Sequence, residues 1–278
     1  MALLKPIDNG RMYPGWWRWN PIGGCEHDCS YCYMKVMSNR TGLSMMTPVV
    51  RDGHFPTQNY MSDNLGSGRK IFCCSSGDAW GYWVPSDWIY RMLDHCLDYS
   101  GNEYMMLTKN PLRYAQWYQF HEDCKFILGA TVETDLTKVA RSVSDAPDPL
   151  YRMAHMKEIK EEYPNVQTML SIEPVMRFTP VFAERIEAVL PDIVYIGVDS
   201  GKNGLLEPTR DELIRLIIYV SEVAELHLKK GIERIVGADW LASWRGEKPE
   251  IQIIQEPQLS GEIETCSRWS IYERGSSR

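Results

Sequence analysis

Three cysteines crowd into Cys25-Glu-His-Asp-Cys29-Ser-Tyr-Cys32, a C-x-x-x-C-x-x-C spacing. Thiolates are the usual ligands of iron–sulfur clusters, and a [4Fe–4S] cluster ordinarily takes four of them. A tight loop that offers three holds three irons and leaves the fourth open to an outside ligand, as catalytic metal sites do. The amino and carboxylate groups of S-adenosylmethionine suit that open position. Zinc is the competing reading. Structural zinc wants four closed ligands, usually from paired knuckles, and no second knuckle follows here. His27 lies inside the loop but is awkwardly placed to ligate beside Cys29.

Such a loop needs a scaffold, and the chain alternates short aliphatic runs with amphipathic stretches. Lys70–Cys74, Glu103–Leu107, Phe126–Val132, Val166–Ile172 and Ile193–Val198 read as strands. Helices are expected from Ser86, as cap, to Tyr99, from Pro111, near Leu136–Ser142, and over Pro149–Tyr163 and Pro180–Leu190. A long helix is expected over Thr209–Lys230, ending at Gly231, with Arg234–Val236 as a last strand. Continuously apolar strands between helices mean a parallel sheet covered by helices. Six units, or seven with the start of the chain, predict an α/β fold: a partial (β/α)6-type TIM-like barrel of parallel strands. An open doubly wound sheet is the alternative. One domain spans 1–278, with the barrel core over about 17–240 and a C-terminal extension over 241–278. Residues 38–69, rich in glycine and proline, read as a long loop.

The expected strands end in polar residues: Ser75, Ser76, Gly77 and Asp78; Thr108 and Lys109; Thr131 and Glu133; Ser171 and Glu173; Asp199 and Ser200. In parallel α/β folds the active site lies at the carboxyl ends of the strands. Five successive ends of this kind make a mouth in which the cysteine loop sits.

The segment Asn20–Met34, N-P-I-G-G-C-E-H-D-C-S-Y-C-Y-M, resembles the radical S-adenosylmethionine superfamily. Met106–Pro111, Gly129–Glu133, Leu170–Pro174 and Val194–Gly201 look like the successive blocks of a phage and bacterial family of radical-enzyme-like proteins. The loop G-C-E-H-D-C-S-Y-C-Y is also similar to that of spore photoproduct lyase, which repairs a thymine dimer in DNA. The resemblance implies that Cys25, Cys29 and Cys32 ligate the cluster and that Tyr31 packs near the adenine. It implies that Ser75, Ser76, Gly77 and Asp78 hold the methionine amino group, and that Thr108, Ser171 and Asp199 line the cofactor. Glu133, Ser171 and Glu173 reach the ribose or the substrate. Lys109 meets a carboxylate of the cofactor or a substrate anion; the other reading of Lys109 and Glu133 is a buried ion pair. Cofactors are then the [4Fe–4S] cluster and S-adenosylmethionine, reductively cleaved to a 5′-deoxyadenosyl radical that abstracts hydrogen. A nucleobase or nucleotide leads as substrate, with a peptide or small metabolite as alternative; a non-catalytic cluster- or zinc-binding module is the rival from another class. An external electron donor such as flavodoxin or ferredoxin is a further expectation.

The bulk properties narrow this. A net charge of −7 gives no support to broad electrostatic binding of nucleic acid, which wants a basic face. No apolar run approaches the ~20 residues that span a membrane, and Met-Ala-Leu-Leu-Lys-Pro has no signal-peptide core, so a cytoplasmic address is expected. Of the other cysteines, Cys73, Cys74, Cys96 and Cys124 show no ligand spacing. Adjacent Cys73 and Cys74 are expected on opposite strand faces. Cys266 is a candidate hydrogen-atom donor or an inert thiol, and residues 251–254 a candidate added strand. Trp16, Trp17, Trp19, Trp80, Tyr82, Trp83 and Trp88 either stack on a base or plug the barrel end.

Overall fold

The computed structural model describes residues 5–6, 15–41, 49–50, 61–116 and 124–246. Cys266 and residues 247–278 lie outside the described residues. The strands are β1 (Lys5–Pro6), β2 (Trp17–Trp19), β3 (Ile22–Gly23), β4 (Val49–Val50), β5 (Lys70–Cys73), β6 (Glu103–Thr108), β7 (Lys125–Thr131), β8 (Gln167–Ile172), β9 (Ile193–Ile196) and β10 (Glu225–Leu228). The helices are α1 (Tyr33–Thr41), α2 (Ser86–Asp98), α3 (Thr137–Arg141), α4 (Pro149–Glu162), α5 (Phe182–Val189), α6 (Arg210–Val223), α7 (Glu233–Val236) and α8 (Ala238–Gly246).

The main sheet runs β1-β2-β5-β6-β7-β8-β9-β10. All neighbours are parallel except β1, which joins β2 antiparallel. The seven parallel strands thus lie in chain order, the arrangement made by repeating one crossover in one direction. Strands β3 and β4 form a separate antiparallel pair.

Alternation sorts the strand side chains between two faces. Ile71, Tyr104, Leu128, Leu170 and Val194 point to the helices, where Ile89 and Met92 of α2, Met156 of α4, Phe182 of α5 and Leu216 of α6 join one core. Trp16, Phe72, Met105, Ile127, Met169 and Ile193 form a second cluster on the opposite face, with Leu107 and Tyr195 packed against it. That face is concave. Lys70, Glu103, Ile127, Gln167, Ile193 and Glu225, one from each of β5 to β10, line a single cavity of about 630 Å³.

Three local expectations are corrected. Thr209–Lys230 is not one helix. Thr209 caps α6 in a reciprocal capping box with Glu212, but α6 ends at Val223 and Ala224 turns extended. Glu225–Leu228 then pairs with β9 as the last parallel strand, and Arg234–Val236 is helical. Cooperative ladder formation at the sheet edge wins over a helical pattern only one residue away. Pro111 opens a short 3-10 turn, Pro111–Gln116, rather than an α-helix. Cys73 and Cys74 do not face opposite ways. The chain leaves β5 at Cys73, Cys74 takes φ +57°, and both side chains enter the helix-side core.

Candidate active site

The cysteine loop and the stretch leading into it are held by contacts from two other segments. Cys74 N–H donates to Trp19 O (2.8 Å), and Asp78 N–H to Gly24 O (3.1 Å). Gly24 and Gly77 bridge in parallel. A Cβ at Gly77 would lie 2.6 Å from Gly24 O, so only glycine permits this approach. Asn20 Oδ1 accepts from Ser75 Oγ (3.1 Å) and Ser76 N–H (3.0 Å). From the β7–α4 connection, Val143 O accepts from Ser30 N–H (2.8 Å), Asp145 N–H donates to His27 O (2.8 Å), and Ser144 Oγ lies 3.1 Å from Cys29 Sγ.

One ring nitrogen of His27 is already engaged. Its Nε2 lies 2.8 Å from Asp78 Oδ2, and its ring meets the edge of Trp83 with centroids 4.8 Å apart. Asp78 also accepts from Thr108 Oγ1 (2.7 Å), Lys109 N–H (2.9 Å) and Trp80 N–H (3.0 Å). Burial alone would raise this carboxyl; His27 and the other donors outweigh it and hold it below its ordinary value. Asp78 is therefore a buried knot tying the cysteine loop to the ends of β5 and β6.

Beside it lies a second knot. Glu133, at the end of β7, accepts from Tyr31 Oη and Lys109 Nζ, and from Arg152 Nη1 at 2.8 Å. Lys109 Nζ also donates to Tyr31 Oη (3.1 Å). Burial would raise the Glu133 carboxyl, but the Arg152 and Lys109 charges hold it well below the usual carboxylate range. Burial and the Glu133 charge push the Tyr31 phenol well up. The ion pair read from sequence for Lys109 and Glu133 is thus present, and it carries an aromatic of the cysteine loop. Sequence reasoning missed Arg152. A signal existed: Arg152 shares a buried stripe of α4 with Pro149, Met153, Met156 and Ile159, where a lone charge demands a partner.

Cys29 is buried and Cys25 and Cys32 are half-buried. Burial, and then the Asp78 charge, push the Cys25 thiol up, with Cys29 and Cys32 adding to it. The three thiols therefore feel one another across one loop. With one His27 nitrogen on Asp78, the three thiols are the sulfur donors of the loop, and a fourth ligand is left to come from elsewhere. No group of three His, Cys, Asp or Glu among the described residues closes around a single ion. In a [4Fe–4S] cluster each thiolate serves a different iron, which asks for a wider spacing than one ion does. The three-thiol loop fits the cluster. Tyr33 Oη donates to Ser75 O (2.8 Å), and burial with the nearby Cys32 pushes its phenol up to about 12.

The other expected residues form separate groups. Glu173, after β8, pairs with Lys229, a buried amine after β10 that sequence reasoning had placed in a helix. Ser171 is buried one turn of the pleat below Glu173. Asp199 accepts from Asn203 N–H and Nδ2, both at 2.6 Å, within its own loop. Cys73, Cys96 and Cys124, unconnected by spacing, meet in the helix-side core. Cys124 Sγ lies 3.9 Å from Cys96 O, and burial pushes its thiol up to about 12. Trp19 and Trp80 are core residues, whereas Tyr82 is exposed. No helix among the described residues is long and apolar enough to cross a membrane.

A family model described as "Protein of unknown function (DUF5131)" matches residues 16–214. Among curated proteins none matches the sequence. Solved structures are similar in fold. A spore photoproduct lyase complexed with dinucleoside spore photoproduct aligns at 10% identity over 82% of this chain and 80% of that one, TM-score 0.55. A C140A/S76C mutant of that lyase with bound AdoMet and dinucleoside spore photoproduct aligns at 10% identity over 81% and 78%, TM-score 0.54. A radical SAM methyltransferase from Sphaerobacter thermophilus aligns at 12% identity over 80% and 69%, TM-score 0.47.

Proposed function

The chain belongs to the DUF5131 family, and from its site we propose that it is a radical S-adenosylmethionine enzyme on a partial barrel. One observation carries this reading. A loop with three thiols is docked at the carboxyl ends of a parallel sheet whose fold resembles an AdoMet-binding lyase.

Cys25, Cys29 and Cys32 would hold a [4Fe–4S] cluster, and Ser75, Ser76 and Gly77 would face the amino group of S-adenosylmethionine. When bound, this pair of cofactors supplies reductive cleavage to a 5′-deoxyadenosyl radical, with the electron drawn from a flavodoxin- or ferredoxin-type donor. The rest falls to the chain's own residues. Asp78 and Thr108 brace the Ser75–Gly77 segment from behind. Tyr31, fixed by Glu133, sets the face of the cysteine loop. Lys109 and Arg152 bring two positive charges to one Glu133 carboxylate, so the knot carries a net positive charge suited to a carboxylate of cofactor or substrate. Ser171, Glu173 and Asp199 lie on the substrate side of the mouth. A nucleobase or nucleotide is the substrate class proposed.

The test is anaerobic reconstitution with iron and sulfide. The expected product is brown, with broad absorbance near ~400 nm, and makes 5′-deoxyadenosine from S-adenosylmethionine once reduced. A wild-type yield no greater than that of Cys29→Ala refutes the enzyme reading. Colourless protein holding stoichiometric zinc refutes the cluster.

A further inference from the structure

The cavity on the concave face is not used by the cysteine site. Its volume of about 630 Å³ falls within the roughly 300–1,000 Å³ usual for small-molecule sites. Beyond the strand starts already described, it is lined by Trp16, Tyr195, His227, Lys229 and Trp244. It therefore spans the depth of the sheet on the β9–β10 side, from the amino ends of the strands to Lys229 just past the carboxyl end of β10.

Three features of its wall point to one ligand chemistry. Tyr195 and His227 are partners in the β9–β10 ladder and stack nearly parallel, centroids 4.5 Å apart and planes at 13°. The two rings lie face over face, so a planar ligand would extend the stack on an outer face of the pair. At the cavity's upper end Lys229 pairs with Glu173, and Lys229 Nζ sits 5.8 Å from the Tyr195 ring centroid. An ammonium carries only donors and a carboxylate only acceptors, so the pair sets a donor beside an acceptor at the rim of a stacking surface. Gly197 makes room for this: a Cβ there would lie 3.0 Å from Glu173 Oε1. The charges, finally, are largely paired, with Lys230 as a further cation of the lining. Lys70 faces Glu103, His227 faces Glu225, and Lys229 faces Glu173. A phosphate backbone wants uncompensated cations, and this wall does not supply a run of them. The upper end also adjoins the cysteine site, because Met176 N–H, in the turn after Glu173, donates to Glu133 O at 2.9 Å.

We propose that this cavity is the substrate pocket and that it takes a neutral nucleobase or nucleoside, stacked on Tyr195–His227 with its amide-type edge on Lys229 and Glu173. The inference rests on the radical-enzyme reading for the word substrate, but the binding site stands on the cavity alone.

The experiment is calorimetric titration of the full-length protein with thymidine, cytidine, adenosine and guanosine, beside a short single-stranded oligonucleotide and a blocked dipeptide amide. At least one nucleoside is expected to bind, with affinity independent of salt. His227→Ala and Lys229→Met are each expected to weaken it roughly tenfold or more, as loss of one base-stacking or charged hydrogen-bonding partner does. Should Lys229→Met fail to fold by circular dichroism, His227→Ala decides, since His227 sits on an edge strand with its side chain 41% exposed. Binding of no nucleoside, binding untouched by these variants, tighter binding of the dipeptide amide, or binding of the oligonucleotide alone with a steep salt dependence overturns the proposal. Cluster absorbance and 5′-deoxyadenosine yield of the wild type judge the chemistry separately, so either reading can fail without the other.

Discussion

Replacing Glu133 by Gln keeps the shape of the side chain and removes its charge. The Glu133 and Arg152 side chains are each only 1% exposed and Lys109 is 13% exposed, so solvent screening is weak. Taking one partner from a buried pair costs about 3–5 kcal/mol, mostly by leaving a buried charge uncompensated. Here two cations lose one anion, which places the expectation at the upper part of that range. At roughly 2 °C per kcal/mol for a chain of this size, the melting temperature of metal-free Glu133→Gln should fall by roughly 8–10 °C. The pH dependence has a definite sign. The Glu133 carboxyl is depressed below its ordinary value near 4.5, so its contribution is full above that value. It is lost as pH falls through the folded value. The gap between wild type and variant should be constant from neutral pH down to about 5.5 and shrink below about 4.5. The assay is urea or thermal unfolding of both proteins across that range. A variant within about 1 kcal/mol of wild type at pH 7, the ceiling for exposed pairs, or a gap that widens on acidification, refutes the account of Glu133 as a charge-satisfied anchor.

Other expectations follow from the same contacts. Gly77→Ala sets a methyl against backbone, not a flexible side chain, so the cysteine loop must shift; a cost of about 1–3 kcal/mol and reduced iron retention should appear together in unfolding and iron assays. Asp78→Asn leaves donors from His27, Thr108, Lys109 and Trp80 sharing one amide oxygen. It should cost about 1–3 kcal/mol and shift the visible spectrum of reconstituted protein, whereas an unchanged spectrum and stability would show that the loop does not depend on it. Thr209→Ala removes the α6 cap far from the cysteines and should cost about 1 kcal/mol while leaving iron content at the wild-type level.

Much of this was legible in the sequence. Strands such as Phe126–Val132, continuously apolar because both faces are covered, announced a parallel sheet and hence a site at its carboxyl ends. The cysteine spacing raised the expectation of a cluster without any fold. What stayed hidden was tertiary. Ser144 and Val143 hold the cysteine loop through contacts that leave no local pattern. Lys229 was concealed because the Ala224 hinge gives no turn signal between a good amphipathic helix and a four-residue strand. Arg152 was visible only as a charge on an apolar stripe, which needs the fold before it can be paired. Cys74 was misplaced because alternation holds only while the chain remains extended, and it turns at that residue.

The supports of the cysteine loop lie far downstream of it. His27 is held by Asp78, 51 residues later, and Cys29 by Ser144, 115 residues later. During synthesis the three thiols leave the ribosome as part of a loop with nothing to rest against. The receptacle comes into being only when β7 and the turn before α4 have docked. Unlike a zinc finger, whose fold is the metal's own doing, this loop is shaped by protein contacts and waits ready-made. On the proposed reading, loading of a cluster would be a maturation step on a finished fold, and a delivery protein would meet a folded client rather than a nascent chain.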